Sequence, residues 1–589
     1  MNDTNSEQPV DSSNDAAEPL AVSSDYKVLG QLNDSTGIGI LGQNDAGSGT
    51  PIGVKGVVPN SSSGFGLETP DDAKVGGALE TTTVRTAGSD LRFRTGTTGT
   101  GDAANVVAGH GDNTVGDGAV GVTIGGGGFN DGNDDETSTA FDNYATISGG
   151  RYHQAGTDDS DPTSSEYATV GGGWWNRAKG SSSTISGGQN NKVTRSRATI
   201  GGGMQNVNEG QQGVIGGGAG NDISAFGGVI SGGVNNATAG RHATIGGGQY
   251  NDVSADYGTV SGGGSTDGTD ATGNAVYDDH GTVGGGGNNQ AGSDDANTTT
   301  ATFATVAGGE RNTANGTKAT VAGGSGNTAS GDTSTVGGGA NNTAGQDNAT
   351  VAGGQNNDAT GYRSFVGGGS SNKAAGNNAS AVGGNQSEAN GTNSFAAGRQ
   401  AKANDSGAFV WADNNAAPFA SDSGLGPTGT DTFNVRCIGG ARFGTSIDSN
   451  DDIDAGVQLA SGSGSWSSLS AAAYKSNVES VDNLSVLEKV EQLDVSSWEY
   501  DGQDGVEHMG PMAGEFHDRF GLGSDEESIA TVDADGVALA AIKGLAERLD
   551  EENDRLKEQL SHRDERIEEV EAECEQLRDR LSALEERID

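Results

Sequence analysis

A short apolar core recurs at near-fixed spacing through the middle of this chain. Thr (Val before Ile215 and Ile230, Phe before Val366), then Ile or Val, then Gly, Ser or Ala appears at Ile124, Ile147, Val170, Ile185, Ile200, Ile215, Ile230, Ile245, Val260, Val283, Val306, Val321, Val336, Val351 and Val366. Weaker copies continue at Val382, Ala396 and Val410. Most steps are 15 residues; four are 23, from Ile124 to Ile147 to Val170 and from Val260 to Val283 to Val306. Self-similarity at one period marks stacked repeats, in which neighbouring turns of chain bury a face that no single turn buries alone. The extra residues of the long steps are polar, as in DGNDDETSTAFDN. They predict loops projecting from one face of a regular stack.

Composition sharpens that expectation. Hydrophobic residues make up 31% and aromatics 5% of the 589 residues, and 104 are Gly, so any core is thin and elongated. Such a composition alone predicts disorder, and the fixed spacing argues against it. The formal net charge is −48. That field makes nucleic acid and anionic membranes poor partners. An acidic coat along the whole chain suits concentrated salt, where self-repulsion is screened, and points to a halophilic source. Two cysteines, Cys437 and Cys574, make neither a disulfide framework nor a zinc site. No long apolar run predicts a membrane span. The start, MNDTNSEQPVDSSNDAAEPL, lacks the basic and apolar regions of a secretory signal. A surface fibre without an export signal is most easily explained as part of a virion assembled inside the cell.

One copy of the repeat is VGGGANNTAGQDNAT, residues 336–350. The β-branched pair Thr335-Val336 predicts a short strand. The Gly run and Gly345 predict turns with positive φ. Asn342 and its equivalents are placed to bond their own backbone or to stack as ladders between coils. Ala344 is small enough for a crowded axis. The coil so predicted has two short strands and two turns, and successive coils stack in parallel. Its interior is small, since each buried Val or Ile contributes about 1.5–3 kcal/mol. Trimerisation around a shared axis is therefore expected to supply further burial. The NxAxG…A-T-V-G-G pattern and short period resemble the head repeats of YadA-like trimeric autotransporter adhesins. That resemblance implies a mainly β fold, a trimeric left-handed parallel β-roll, although the period here is 15 where that family usually has 14.

The chain divides by composition into a polar lead-in or anchor (1–26), an N-terminal β-rich domain (27–121), the repeats (122–412) and a β stem and linker (413–469). A C-terminal module (470–589) follows. Within 27–121, GIGILG (37–42) and IGVKGVV (52–58) read as short strands, and FNVRCIGGARFGTS (433–446) reads as paired strands. From Ile542 to the end, steps of three and four through Asn553, Leu556, Leu560, Arg563, Ile567, Val570, Cys574, Leu577, Leu581, Leu584 and Ile588 predict a parallel coiled coil. HMGPMAGEF (508–516) and VDADGVALAAIKGL (532–545) resemble the intramolecular chaperone of endosialidase-type phage tailspikes, the S74 peptidase family. The resemblance implies a small α+β domain that drives trimerisation at the end of a fibre and then cuts itself off before a serine. On the positions that match, Ser470 is the nucleophile, Lys475 its activating base and Leu469–Ser470 the scissile bond. Ala471 stands where the family usually has Asp. A desolvated, partly neutral lysine can take the proton of a serine. His508 has no paired acid or metal-ligand spacing and reads as structural; SDEES (524–528) reads as a solvated turn.

The function expected is a trimeric virion tail fibre that attaches to a host cell-surface receptor or glycan, with the loop insertions as contact surface. The N-terminal region is expected to meet other virion tail proteins. The only enzymatic activity implied is single-turnover self-cleavage. A cell-surface adhesin of a halophilic archaeon and a polysaccharide-degrading tailspike are the alternatives; glycosidase work needs a carboxylate pair, and none is singled out. No cofactor is expected, although the acidic loops offer carboxylates to Ca²⁺ or other cations without EF-hand spacing. Sequons at Asn236, Asn341 and Asn348 leave glycosylation open.

Overall fold

The computed structural model describes residues 103–130, 135–265, 273–423, 429–447, 449, 453–469, 472 and 475–588, with strands at Lys27–Asp34, Gly37–Gln43, Val84–Thr86 and Ser89–Arg94. The run 52–58 lies outside the described residues. The chain forms two units, Met1–Gly383 and Gly384–Asp589. The fold is mainly β, a parallel solenoid followed by a small α/β region and a C-terminal helix.

Two rows of two-residue strands build the first unit. In one row, Thr184-Ile185 pairs in parallel with Thr199-Ile200, and so on at each Thr-Ile or Thr-Val. In the other, Thr343-Ala344 pairs with Asp358-Ala359. A third edge is a column of single parallel bridges, such as Trp174 to Gln189 and Ala340 to Gln355. Each coil thus has two strands and one bridge, and rises by about 4.8 Å, the spacing of hydrogen-bonded strands. Stacking begins upstream of the first strict repeat, where Val106 pairs with Thr123. Antiparallel strands Val84–Thr86 and Ser89–Arg94 lead into it.

Inward positions of both rows are closed by the chain itself. Ile185, Ile200, Val336, Ala344 and Ala359 all have 0% exposure. The interior of each coil therefore needs no shared trimer axis, contrary to the expectation from its small size. What supplements the apolar rows is an asparagine ladder. Asn342 Nδ2 donates to the carbonyls of Gly338 at 2.8 Å and Gly354 at 2.9 Å, and its Oδ1 accepts from the Asn357 N–H at 3.0 Å. The same bonds repeat at Asn206, Asn221 and Asn236. Each buried amide satisfies itself and the next coil, which offsets its desolvation. Asn236 is 1% exposed in this ladder, so its sequon is inaccessible in the folded coil. His153 takes the ladder position one coil above Asn176, and its Nδ1 accepts from the Asn176 N–H at 3.2 Å. Burial pushes this imidazole below its ordinary value.

Three expectations are corrected here. Gly345 does not supply a positive φ; the left-handed corners are Asn341 (φ 53°), Asn348 (φ 58°) and Gly339 (φ 88°). Two of these three corners carry non-glycine residues along much of the stack, including Tyr257 and His280. Their left-handed strain is offset by a bond to the preceding coil, as from Tyr257 N–H to the Arg241 carbonyl at 2.8 Å. Val382 is 42% exposed and Ala381 is the buried residue, because a one-residue slip in a strand exchanges the two faces. The insertions, finally, do not share one phase. The first of each pair precedes the Ala-type strand and the second follows it, so they leave from two different corners. Spacing from Ile to Ile cannot distinguish the two halves of a coil.

In the second unit, coils of the same kind pair Phe395–Arg399 with Phe409–Ala412 and then with Phe433–Arg436. Their outward phenylalanines stack at 4.7 and 4.8 Å. The run 433–446 is thus not one hairpin. Its first half ends the parallel stack, and its second half, Gly440–Ile447, starts an antiparallel sheet with Ile453–Ala460 and Ser467–Ser468.

Candidate self-processing junction and loop sites

The antiparallel sheet carries the chain to the expected scissile bond. Ser467 and Ser468 pair with Gln458 and Val457, and the Leu469 N–H donates to the Gly456 carbonyl at 2.9 Å. Leu469 is therefore held at a strand end. Ser470 and Ala471 lie outside the described residues. Lys475 is exposed, and its backbone N–H donates to the Ala472 carbonyl at 3.2 Å.

Three helices and a hairpin follow. Helix α1, Asn483–Glu491, starts at Asp482, whose carboxylate accepts from the Ser485 N–H at 3.1 Å. This is an N-cap that satisfies a free amide of the first turn. Hairpin strands Ser496–Trp498 and His508–Gly510 pair antiparallel. His508 lies across from Trp498, edge-on to Tyr500 at 5.1 Å, with Nε2 3.2 Å from Gln503 Oε1. This aromatic setting gives it a packing role. Helix α2, Ala513–Phe520, buries Phe516 against Phe520, and Arg519 Nε donates to Glu515 at 2.9 Å. That bond holds the Glu515 carboxyl below its ordinary value. In 524–528 the Asp525 carboxylate accepts from the N–H groups of Glu527 and Ser528, at 3.0 and 2.9 Å, closing a turn.

Helix α3 runs from Thr531 to Glu585. Its 55 residues span about 80 Å at 1.5 Å per residue. Only its start is covered: Val537, Ala541 and Gly544 are buried, and α1 packs there. A Cβ on Gly544 would stand 2.3 Å from the Asn483 carbonyl oxygen, so glycine permits this crossing. Further along, Leu556, Leu560, Ile567, Val570, Leu577, Leu581 and Leu584 are all exposed. Cys574 is exposed as well. No helix among the described residues is long and apolar enough to cross a membrane.

The solenoid loops form a second set of candidate sites. Asp142 and Asp278 are buried in the coils beneath the second insertion of each pair. Asp142 Oδ2 accepts from the Thr157 N–H at 2.6 Å, and Asp278 from Ser293 at 2.6 Å and Thr300 at 2.9 Å. Burial raises the Asp142 carboxyl despite these bonds. Each loop is thus pinned to an acid of the preceding coil. The signal was in the sequence: both acids stand two residues past the buried strand residue, before loops of the same length. The second loop also brings the charge of Asp294 close to Asp252 and Tyr277. Burial first and Asp294 second raise both groups. This is a carboxylate pair that the sequence alone did not single out. Among the described residues, no three His, Cys, Asp or Glu side chains converge as metal ligands.

Compared with known families, residues 470–520 match the chaperone of endosialidase, the S74 peptidase type. The match starts at the expected nucleophile and ends with α2. No curated protein matches the chain.

Proposed function

We propose that this chain is the subunit of a trimeric virion fibre, a tail fibre or tailspike that attaches to a host cell surface. Residues 470–589 act as its intramolecular chaperone. The observation that carries this reading is the S74 match at 470–520, set between a stem strand ending at Ser468 and a long helix with an uncovered apolar stripe. Three parallel copies of α3 would bury that stripe in a coiled coil, with Asn553 fixing register. Parallel stacking forms slowly and risks misregister, so aligning three chains at one end favours the native stack. The repeat pattern supports a YadA-like β-roll for the body, and the charge of −48 supports a halophilic host.

Self-cleavage at Leu469–Ser470 fits this role. Neutral Lys475 takes the Ser470 Oγ proton, and the oxygen attacks the Leu469 carbonyl carbon. The amide nitrogen leaves with that proton, giving an ester between Leu469 and Ser470. Water then hydrolyses the ester, leaving a carboxylate on Leu469. Lys475 is exposed in the single chain, and packing of the other copies over it would supply the burial this step calls for. Cleavage would then follow trimerisation. Denaturing electrophoresis and intact mass in concentrated salt test this. Wild type is expected to yield a fragment ending at Leu469, and Ser470→Ala none; the same fragment from both would overturn it.

The pair Asp252 and Asp294 beside Tyr277 favours a second reading, a glycan-cleaving tailspike. A depolymerisation assay on host envelope glycans, with Asp252→Asn and Asp294→Asn, decides it. No released fragments from wild type removes this reading.

A further inference from the structure

The acidic coat has one gap. Residues 167–208 contain no Asp or Glu, the longest such run in a chain with 81 acids, and they hold Arg177, Lys179, Lys192, Arg195 and Arg197. The gap coincides with a groove of about 540 Å³ in the first unit. That volume lies within the range of about 300–1,000 Å³ usual for small-molecule sites.

The groove lies along the corner between the two strand rows. The pinned loop after Gly156 walls one end, and Phe226 closes the other. Thr157 fixes the wall: its Oγ1 donates to the Lys179 carbonyl at 2.9 Å and lies 2.7 Å from Ser165 Oγ. Ser181, Thr194 and Ser196 line it between these ends, together with Lys179 and Arg195. Neither cation forms an ion pair among the described residues, whereas the lining Glu209 is already paired with Lys192 at 3.0 Å. The second loop of each insertion pair projects from this same corner.

We infer that this groove binds an acidic saccharide, a short stretch of glycan bearing carboxylates. Resting on the attachment reading, it names the ligand class of that surface. Two free cations answer one or two carboxylates, the hydroxyl rows answer sugar hydroxyls, and Phe226 offers an apolar end stop. A nucleic acid fits less well. Its phosphates recur at every nucleotide, whereas Lys179 and Arg195 are the two lining cations, and Glu209 lines the groove as well.

Calorimetric titration of the intact fibre tests the assignment, with oligogalacturonate as the acidic probe and maltooligosaccharide as the neutral one. The acidic probe is expected to bind, and Lys179→Gln with Arg195→Gln to weaken it about tenfold or more. Lys373→Gln, outside the groove, is expected to change nothing. Absence of binding, equal binding of the neutral probe, or full binding by the double variant overturns the proposal. So does a single-stranded oligonucleotide of equal charge that binds as tightly and is lost in the same variant. Host-cell attachment of wild type, scored in parallel, keeps the two readings apart. Attachment without oligogalacturonate binding removes only the groove, and binding without attachment removes only the host-contact role.

Discussion

The solenoid and the C-terminal helix solve the burial of apolar residues in opposite ways. The coils enclose the inward residues of both strand rows, such as Val336 and Ala344, and ladder residues such as Asn342 are satisfied by neighbours in the same chain. Helix α3 leaves a stripe of leucines and isoleucines about half exposed over most of its length. One region is complete in a single chain; the other asks for company. The enclosed interior of the repeat needs no partner, whereas the apolar stripe of the helix has no cover within the single chain. On the proposed trimer, a chaperone placed there would align three bodies whose coil interiors do not depend on one another.

The largest expected effect breaks the second half of that contrast. Replacing Leu556, Leu560 and Ile567 with Ser should abolish the trimer, seen by light scattering, and with it self-cleavage. The β signal in circular dichroism should persist, and its collapse would show that the coils depend on assembly after all.

Next comes the backbone of the solenoid. Gly354→Ala sets a Cβ 2.2 Å from the Gly369 carbonyl oxygen at φ 91°, and should cost about 3 kcal/mol. Gly345→Ala meets nothing closer than 3.6 Å and should be nearly silent. Chemical denaturation of the pair checks whether stacking or turn chemistry holds each glycine.

Asn221→Ala removes the amide that serves Gly217, Gly233 and the Asn236 N–H. It should cost about 1–3 kcal/mol. Hydrogen exchange should place the loss in the adjoining coils, as expected when stability is a nearest-neighbour property.

The smallest effect concerns His153. Its folded value lies below the unfolded one, so the unfolded chain takes up the proton first. Stability near that coil is full above the unfolded value near 6.5. It is lost as pH falls below it, by at most about 1.4 kcal/mol per pH unit, until the folded value is reached. His153→Asn should remove this dependence, measured as amide exchange between neutral and mildly acidic pH.

Of the candidate sites, the start of the chaperone match was legible because the residues that carry the resemblance are contiguous in the chain. The loop anchors were legible in part. Asp142 and Asp278 occupy matching places, but only the coil geometry shows that they are buried beneath the loops. The groove was not legible, because its lining comes from five successive coils and overall net charge conceals a local gap.

Periodicity in the chain was enough to determine the stack, its two inward rows, the asparagine ladder and the long C-terminal helix. Each of these follows from a residue recurring at the spacing of one turn. Tertiary structure decided which corners turn left-handed, that Ala381 and not Val382 faces inward, and which half of a coil carries each insertion. It did so because the sign of φ and the facing of a side chain are fixed by hydrogen bonds to the next coil, which no spacing within one coil records.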